Sequence, residues 1–238
     1  MTGAVMVTGA SSGIGAAVAA ELASRGFTVG CLSRRGTAPP GEGLLPLAAD
    51  VTDEAAVERA LADLVERAGG LHGLVNGAGF NREGPSAQLS TETLRSVLET
   101  NFVAAFGLCR LAYPHFRAAG GGLIVNIGSF FDQLGVAHNL AYAASKAALA
   151  ALTRCLAVEW AKDGVRLINV APGYVLTDLN REYFSDPDRR QRIERRIPVR
   201  RLGEAEEVAK LVACLFTEQI GFLTGETIYL DGGQGMSL

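Results

Sequence analysis

At 238 residues, 48% of them hydrophobic, the chain has enough apolar content for a sizeable core and a length that one core can organise, which predicts a single domain over 1–238 and argues against disorder. A formal charge of -3 and a pI near 5.7 supply no global attraction for nucleic acid or an anionic membrane, so any phosphate recognition has to be local. No apolar run approaches the ~20 residues of a membrane span, and residues 1–8 lack the charged opening of a secretory signal, so the expected location is cytoplasmic.

Short apolar runs predict strands at 4–8, 28–33, 44–48, 71–76, 123–127, 165–170 and 227–230. Helical spacing fills most of the gaps, at 13–25, 53–67, 91–116, 142–162 and 204–216. The alternation predicts an α/β fold: one Rossmann-type, doubly wound sheet of seven mainly parallel strands, helices on both faces, and ligands beyond the strands' C-terminal ends. A polar, Arg-rich insertion at 177–203 interrupts the pattern and is expected to act as a substrate lid. Cys31, Cys109, Cys155 and Cys214 form no CxxC pair and are expected to be buried free thiols. His72, His115 and His138 have no ligand spacing, so no metal is expected.

Directly after the first strand stands Thr8-Gly9-Ala10-Ser11-Ser12-Gly13-Ile14-Gly15, opening a helix. Glycine permits positive φ and close backbone approach, and the helix N-terminus offers unpaired N–H groups and partial positive charge, so this turn is a candidate pyrophosphate site. The second strand ends at Ser33, 18 residues past Gly15, where an acid would be expected to hold a ribose 2′-hydroxyl. Ser33-Arg34-Arg35 stands there instead and suits a 2′-phosphate, so NADP(H) is expected in preference to NAD(H).

Tyr142-Ala-Ala-Ser145-Lys146 puts a phenol and an ammonium four residues apart on one helix face. The chain has only three lysines against nineteen arginines, which makes a Lys amid alanines notable. A nearby ammonium favours phenolate, so Lys146 is expected to lower the phenol's pKa from about 10. Ser129, just past the 123–127 strand, would reach the same substrate oxygen and donate a hydrogen bond as charge develops there.

Together these residues resemble the short-chain dehydrogenase/reductase family, in its 3-oxoacyl reductase-like branch, along essentially the whole chain. Gly9, Gly13 and Gly15, with Ser11, Ser12 and Ile14 between them, are similar to its dinucleotide turn; Asp50-Val51 resembles the adenine contact; Asn76-Gly77-Ala78-Gly79 resembles its NNAG-type motif with Gly for the second Asn. The resemblance implies a catalytic set of Asn101, Ser129, Tyr142 and Lys146, with Tyr142 as proton donor and acceptor and Lys146 also holding a nicotinamide ribose. It implies nicotinamide-side contacts from Pro172, Gly173, Val175 and Thr177. Two departures matter. Ser12 replaces the basic residue many NADP-dependent members carry, and 118–122 and 163–164 lack the basic residues common where the substrate is bound to acyl carrier protein.

The expected function is interconversion of a ketone and a secondary alcohol with NADP(H). The alternatives are a 3-oxoacyl thioester reductase acting on acyl carrier protein or CoA, and a non-catalytic dinucleotide sensor. Phe80, Phe130, Phe131, Tyr174, Leu179, Tyr183 and Phe184 are expected to wall a pocket for a small, apolar or aromatic substrate. The apolar helices around 101–112 and 146–160, and the segment 222–233 that resembles the family's second contact surface, predict a homotetramer.

Overall fold

The computed structural model describes residues 3–177, 180–218 and 220–236; Leu179, expected in the pocket, lies outside them. In chain order come β1 (Ala4–Thr8), α1 (Gly13–Ser24), β2 (Thr28–Ser33), β3 (Leu44–Ala48), α2 (Glu54–Ala68), β4 (Gly73–Asn76) and α3 (Thr91–Leu98). A π-helical turn (Glu99–Val103) leads into α4 (Ala104–Ala118), then β5 (Gly122–Ile127), α5 (Leu140–Trp160) and β6 (Val165–Pro172). The rest is β7 (Val175–Leu176), α6 (Pro187–Glu194), β8 (Gly203–Glu204), α7 (Ala205–Thr217) and β9 (Thr227–Leu230).

Among the described residues, seven strands form one sheet in the order β3-β2-β1-β4-β5-β6-β9, and every pair in it is parallel. Alternation along β1 explains the two cores: Ala4 and Met6 join the layer of α2, α4 and α5, whereas Val5 and Val7 join that of α1 and α7. With both faces covered, the strands read as continuous apolar runs. The chain leaves β1 toward β2 and β3, then crosses back to place β4 on β1's other side, so the strand order reverses between β1 and β4. The loops after those strands therefore flank a ligand crevice.

Three differences from the expected elements bear on the site. The single helix expected at 91–116 is two helices joined by the π-helical turn, which holds Asn101. Apolar periodicity does not reveal it, because the residues flanking the turn keep right-handed helical dihedrals. The insertion contains α6, and β7 just before it pairs with β8 at its end. Cys155 is exposed and Cys214 half-buried, correcting the expectation for those two thiols. Cys31 and Cys109 are buried, and burial pushes their thiols up to about 11 and about 12.

Candidate active site

The turn after β1 is shaped by two glycines. Gly9 has φ of 70°, and a Cβ there would come within 2.9 Å of the Gly77 carbonyl. A Cβ on Gly15 would fall 2.4 Å from the Gly9 carbonyl, so α1 can close on the turn only with glycine at that position. Thr8 ties this turn to the one after β4, its hydroxyl accepting from the Gly77 and Ala78 N–H groups at 3.0 and 3.1 Å. Ser12 stands at the N-cap of α1 with no side-chain capping bond, unlike Asp53 on α2 and Ser90 on α3. The first N–H groups of α1 are thereby left for a ligand, which fits the pyrophosphate of a dinucleotide.

Arg34 and Arg35 have different surroundings. Arg35 donates to Ser11 Oγ at 2.9 Å and to Ser11 O at 3.2 Å, bracing the turn. Arg34 is exposed, and its charge, behind the bonds from Thr52, helps hold the Asp50 carboxyl below its ordinary range. Ser33 is buried and its Oγ accepts from Thr37 N at 3.4 Å. Asn76 is buried with Nδ2 committed to Asn126 Oδ1 at 2.8 Å and Cys109 Sγ at 3.4 Å, so its side chain couples β4 to β5. Thr177 reaches the turn from the far side: a Cβ on Gly13 would meet its Cγ2 at 3.4 Å. Asn180 fixes that loop, accepting from Thr177 N and donating to Val175 O, both at 2.8 Å.

Ser129, Tyr142, Lys146 and Asn101 converge. Ser129 follows β5 in extended conformation, and its Oγ accepts from Phe131 N at 3.2 Å, leaving its hydroxyl hydrogen to donate. Its nearness to the Tyr142 phenol favours phenolate, but burial has the larger effect and raises the phenol's pKa. Lys146 lies in the next turn of α5, its Nζ 5.5 Å from the Tyr142 ring centroid and donating to Ile127 O at 2.7 Å. Burial pulls Lys146 down to about 8, against the charge of Asp132. The expected lowering of the Tyr142 pKa by Lys146 is not found: burial raises the phenol's pKa, the opposing influence comes from Ser129, and burial disfavours the charged form of Lys146 as well.

Asn101 is almost wholly buried. Its Oδ1 accepts from Phe80 N at 3.0 Å, and its Nδ2 donates to Phe80 O at 2.9 Å and Ser145 Oγ at 3.0 Å. Ser145 in turn donates to Tyr142 O at 2.7 Å. Two further residues join the site without a sequence signal: Asp132, three positions after Ser129, accepts from the Tyr229 hydroxyl of β9 at 3.0 Å. Burial raises the Asp132 pKa and pushes the Tyr229 phenol up to about 12. The pair ties the Ser129 turn to the far edge of the sheet, 97 residues away in sequence, and no local pattern signals it.

The expected aromatic wall is partly assembled. Phe131 meets Tyr142 edge-on at 6.0 Å; Tyr174 meets Phe130 at 5.3 Å, Phe131 at 6.1 Å and Phe184 at 6.3 Å; and Tyr183 contacts Phe184 from the outside. Phe80 makes none of these ring contacts and lies instead under the Arg82 guanidinium, 5.6 Å from its ring centroid. Pro172 ends β6 and Gly173 follows at the sheet's C-terminal edge, where Gly173 packs on Asp231. Among the described residues, no three His, Cys, Asp or Glu converge to hold a metal, and no helix is long and apolar enough to cross a membrane.

Comparison with known proteins agrees with this architecture. A family model described as enoyl-(acyl carrier protein) reductase matches residues 9–235. The 3beta-hydroxysteroid dehydrogenase 1 of Eggerthella lenta is 35% identical, over 96% of this chain and 92% of its own. The 3-oxoacyl-[acyl-carrier-protein] reductase FabG of Escherichia coli is also 35% identical, over 97% of this chain and 96% of its own. A crystal structure of a gluconate 5-dehydrogenase from Burkholderia cenocepacia, in complex with NADP and tartrate, superposes with a TM-score of 0.90 at 27% identity, covering 99% of this chain and 96% of that one. Matches of this extent, on a parallel sheet with its glycine turn at the point where strand order reverses, make the chain a member of the short-chain dehydrogenase/reductase family, in its 3-oxoacyl reductase-like branch, and so an NAD(P)-dependent oxidoreductase.

Proposed function

We propose that the protein reduces a ketone to a secondary alcohol, or runs the reverse reaction, with NADP(H) preferred and with Tyr142 as general acid and base. The observation that carries this reading is the convergence of the Ser129 hydroxyl, the buried Tyr142 phenol and the Lys146 ammonium at the C-terminal edge of β5. The cofactor would lie across the turn of Gly9, Ser11, Ser12, Gly13, Ile14 and Gly15, with Asp50 and Val51 toward the adenine and Pro172, Gly173, Val175 and Thr177 toward the nicotinamide. When bound, the nicotinamide supplies or accepts the hydride.

Tyr142 gives its proton to the substrate oxygen during reduction, and Ser129 donates a hydrogen bond to that oxygen as negative charge grows. A phenol held neutral by burial is in the form needed to donate. Lys146, close to its ionisation midpoint at neutral to mildly alkaline pH, can carry the proton that replenishes Tyr142, and Asn101 holds the Phe80 backbone and Ser145 around that path. Phe130, Phe131, Tyr174 and Phe184 exclude water from one side of the site.

The preference for NADP(H) rests on exposed Arg34 and on the absence of an acid at the end of β2. The chain works as one catalytic domain with 177–203 as its lid, in the cytoplasm, as a homotetramer; light scattering at micromolar concentration that finds only monomer refutes the assembly. The reaction is tested by following NADPH absorbance with a panel of ketones and with acyl-carrier-bound and CoA-bound 3-oxoacyl thioesters. Turnover of free ketones supports the reading, a large advantage for carrier-bound thioesters favours the second enzymatic role, and cofactor binding without any turnover overturns both.

A further inference from the structure

The insertion concentrates seven of the chain's nineteen arginines between positions 189 and 201, and most of them have partners close by. Arg190 pairs with Glu194 at 2.8 Å and Arg201 with Glu207 at 2.7 Å. Arg195 donates to Gln191 at 3.1 Å, and Arg200 bonds to the Arg195 carbonyl. Arg189 stacks on Tyr183 at 4.5 Å, donates to Tyr183 O at 3.2 Å and lies 3.8 Å from Asp186. That leaves Arg192 and Arg196, whose guanidinium groups have no acceptor among the described residues.

These two, both exposed, line the same open surface cavity, of about 290 Å³, together with Tyr183, Asp186, Arg189 and Ile193. Asp186 does not neutralise them. Its Oδ1 caps α6 by accepting from Asp188 N and Arg189 N, and its Oδ2 faces Arg189. Two like charges four residues apart repel each other, so a cavity that holds both is a better host for an anion than for water alone. A guanidinium presents a planar fork of donors that matches a carboxylate or phosphate.

The cavity lies at the outer end of the aromatic wall. Tyr183 lines it and contacts Phe184, which contacts Tyr174. The charge of Arg196 also reaches the Tyr174 phenol, opposed there by Glu83 from the loop after β4. Tyr174 in turn packs on Phe131, the neighbour of Tyr142. We infer that this cavity is a substrate subsite for an oxyanion, a carboxylate or phosphate at the far end of the molecule whose carbonyl faces Tyr142, with Arg192 and Arg196 as its donors. The inference rests on the ketone-reductase reading above and assigns that substrate an apolar middle and an anionic tail.

The test compares oxo-carboxylates of increasing length with their methyl esters, using NADPH and the full-length enzyme, its Arg192→Gln and Arg196→Gln variants and Arg196→Lys. The wild type is expected to favour the acid over the ester by about tenfold or more in kcat/KM at one chain length, mainly through KM. That ratio falls toward unity in either Gln variant and partly recovers in Arg196→Lys. Acetoacetyl-CoA against its N-acetylcysteamine thioester tests the phosphate source in the same way. Equal handling of anionic and neutral members of every pair overturns the subsite. Calorimetric binding of each oxo-acid to the enzyme–NADP+ complex separates the two readings. Binding lost in Arg196→Gln, without turnover of any ketone, keeps the subsite and sinks the reaction; turnover without any anion preference does the reverse.

Discussion

Ser129, Tyr142, Lys146 and Asn101 are held in the interior, whereas residues 183–204 are held mostly at the surface, and the two regions use different forces. Beneath the site, Asn101 has both polar ends of its amide satisfied, Lys146 has a backbone acceptor, and the surrounding strands are buried on both faces. Among the described residues of the insertion only Phe184, Ile197 and Leu202 are buried apolar residues; α6 buries none, and the Arg190–Glu194 and Arg201–Glu207 pairs lie at the surface. Exposed pairs contribute about 0–1 kcal/mol each, so the insertion can change sequence at little cost to the fold, while a change in the floor disturbs the chemistry. On the proposed reading, a scaffold built this way would keep the reaction constant and leave substrate choice to residues 177–203.

The largest expected effect is at the floor. Tyr142→Phe lowers turnover about 10²-fold or more while leaving NADPH affinity and thermal stability near wild type, because the phenol's oxygen rather than its ring does the work. Retained turnover removes Tyr142 from the mechanism, and a collapsed melting temperature with lost cofactor binding assigns it to packing.

Lys146→Met sharpens the comparison by separating function from stability. The folded state lowers the Lys146 pKa from 10.5 to about 8, so the unfolded chain binds more protons between those values. The cost of burying the ammonium is therefore fully present below pH 8 and disappears as pH rises toward 10.5. The variant is expected to lose activity yet gain up to about 3 kcal/mol of stability at pH 7, offset by about 1 kcal/mol for the lost bond to Ile127. Denaturation at pH 7 and pH 10 should show that gain shrinking; a constant difference refutes the origin assigned to it.

At the cofactor end, Arg34→Ala should weaken NADPH binding about tenfold, or 1.4 kcal/mol, and spare NADH. Arg35→Ala, by releasing Ser11, should weaken both cofactors alike. Fluorescence titration with the two dinucleotides distinguishes these outcomes, and equal losses in Arg34→Ala overturn the 2′-phosphate assignment. The smallest effect belongs to the lid. Asp186→Ala removes the cap of α6, worth about 1 kcal/mol, and should raise KM while leaving the global melting temperature nearly unchanged. A cooperative loss of melting temperature in this variant would mean that the lid is part of the main folding unit.

Much of the fold was legible because its signals are local. β1, β2, β3 and β9 match their apolar runs to the residue; β1 and β2 are covered on both faces, and the half-exposed edge strands β3 and β9 still keep short runs of mainly apolar residues. The apolar run at 71–76 begins two residues before β4: Leu71 is buried without belonging to the strand, and burial alone does not mark a strand's start. The π-helical turn at Asn101 and the short β7–β8 pairing leave no sequence signal because neither changes hydrophobic periodicity. In the site, the helical spacing of Tyr142 and Lys146 announced a shared face, and the glycines at 9 and 15 announced a close turn. Desolvation, which decides the pKa of both Tyr142 and Lys146, depends on what packs around them from elsewhere in the chain.

The sequence by itself determined the parallel sheet, the phosphate-ready turn and the pairing of a phenol with an ammonium, because each is written within a few neighbouring residues. Tertiary structure alone decided that Asp132 meets Tyr229, that Ser145 bridges Asn101 to α5, and that Arg35 braces the turn while Arg34 stays exposed with its charge toward Asp50. It also decided which two of seven crowded arginines face a cavity without a partner. Each of those outcomes joins elements brought together by crossovers of the sheet or by the path of the insertion, and such proximity leaves no periodic trace in the chain.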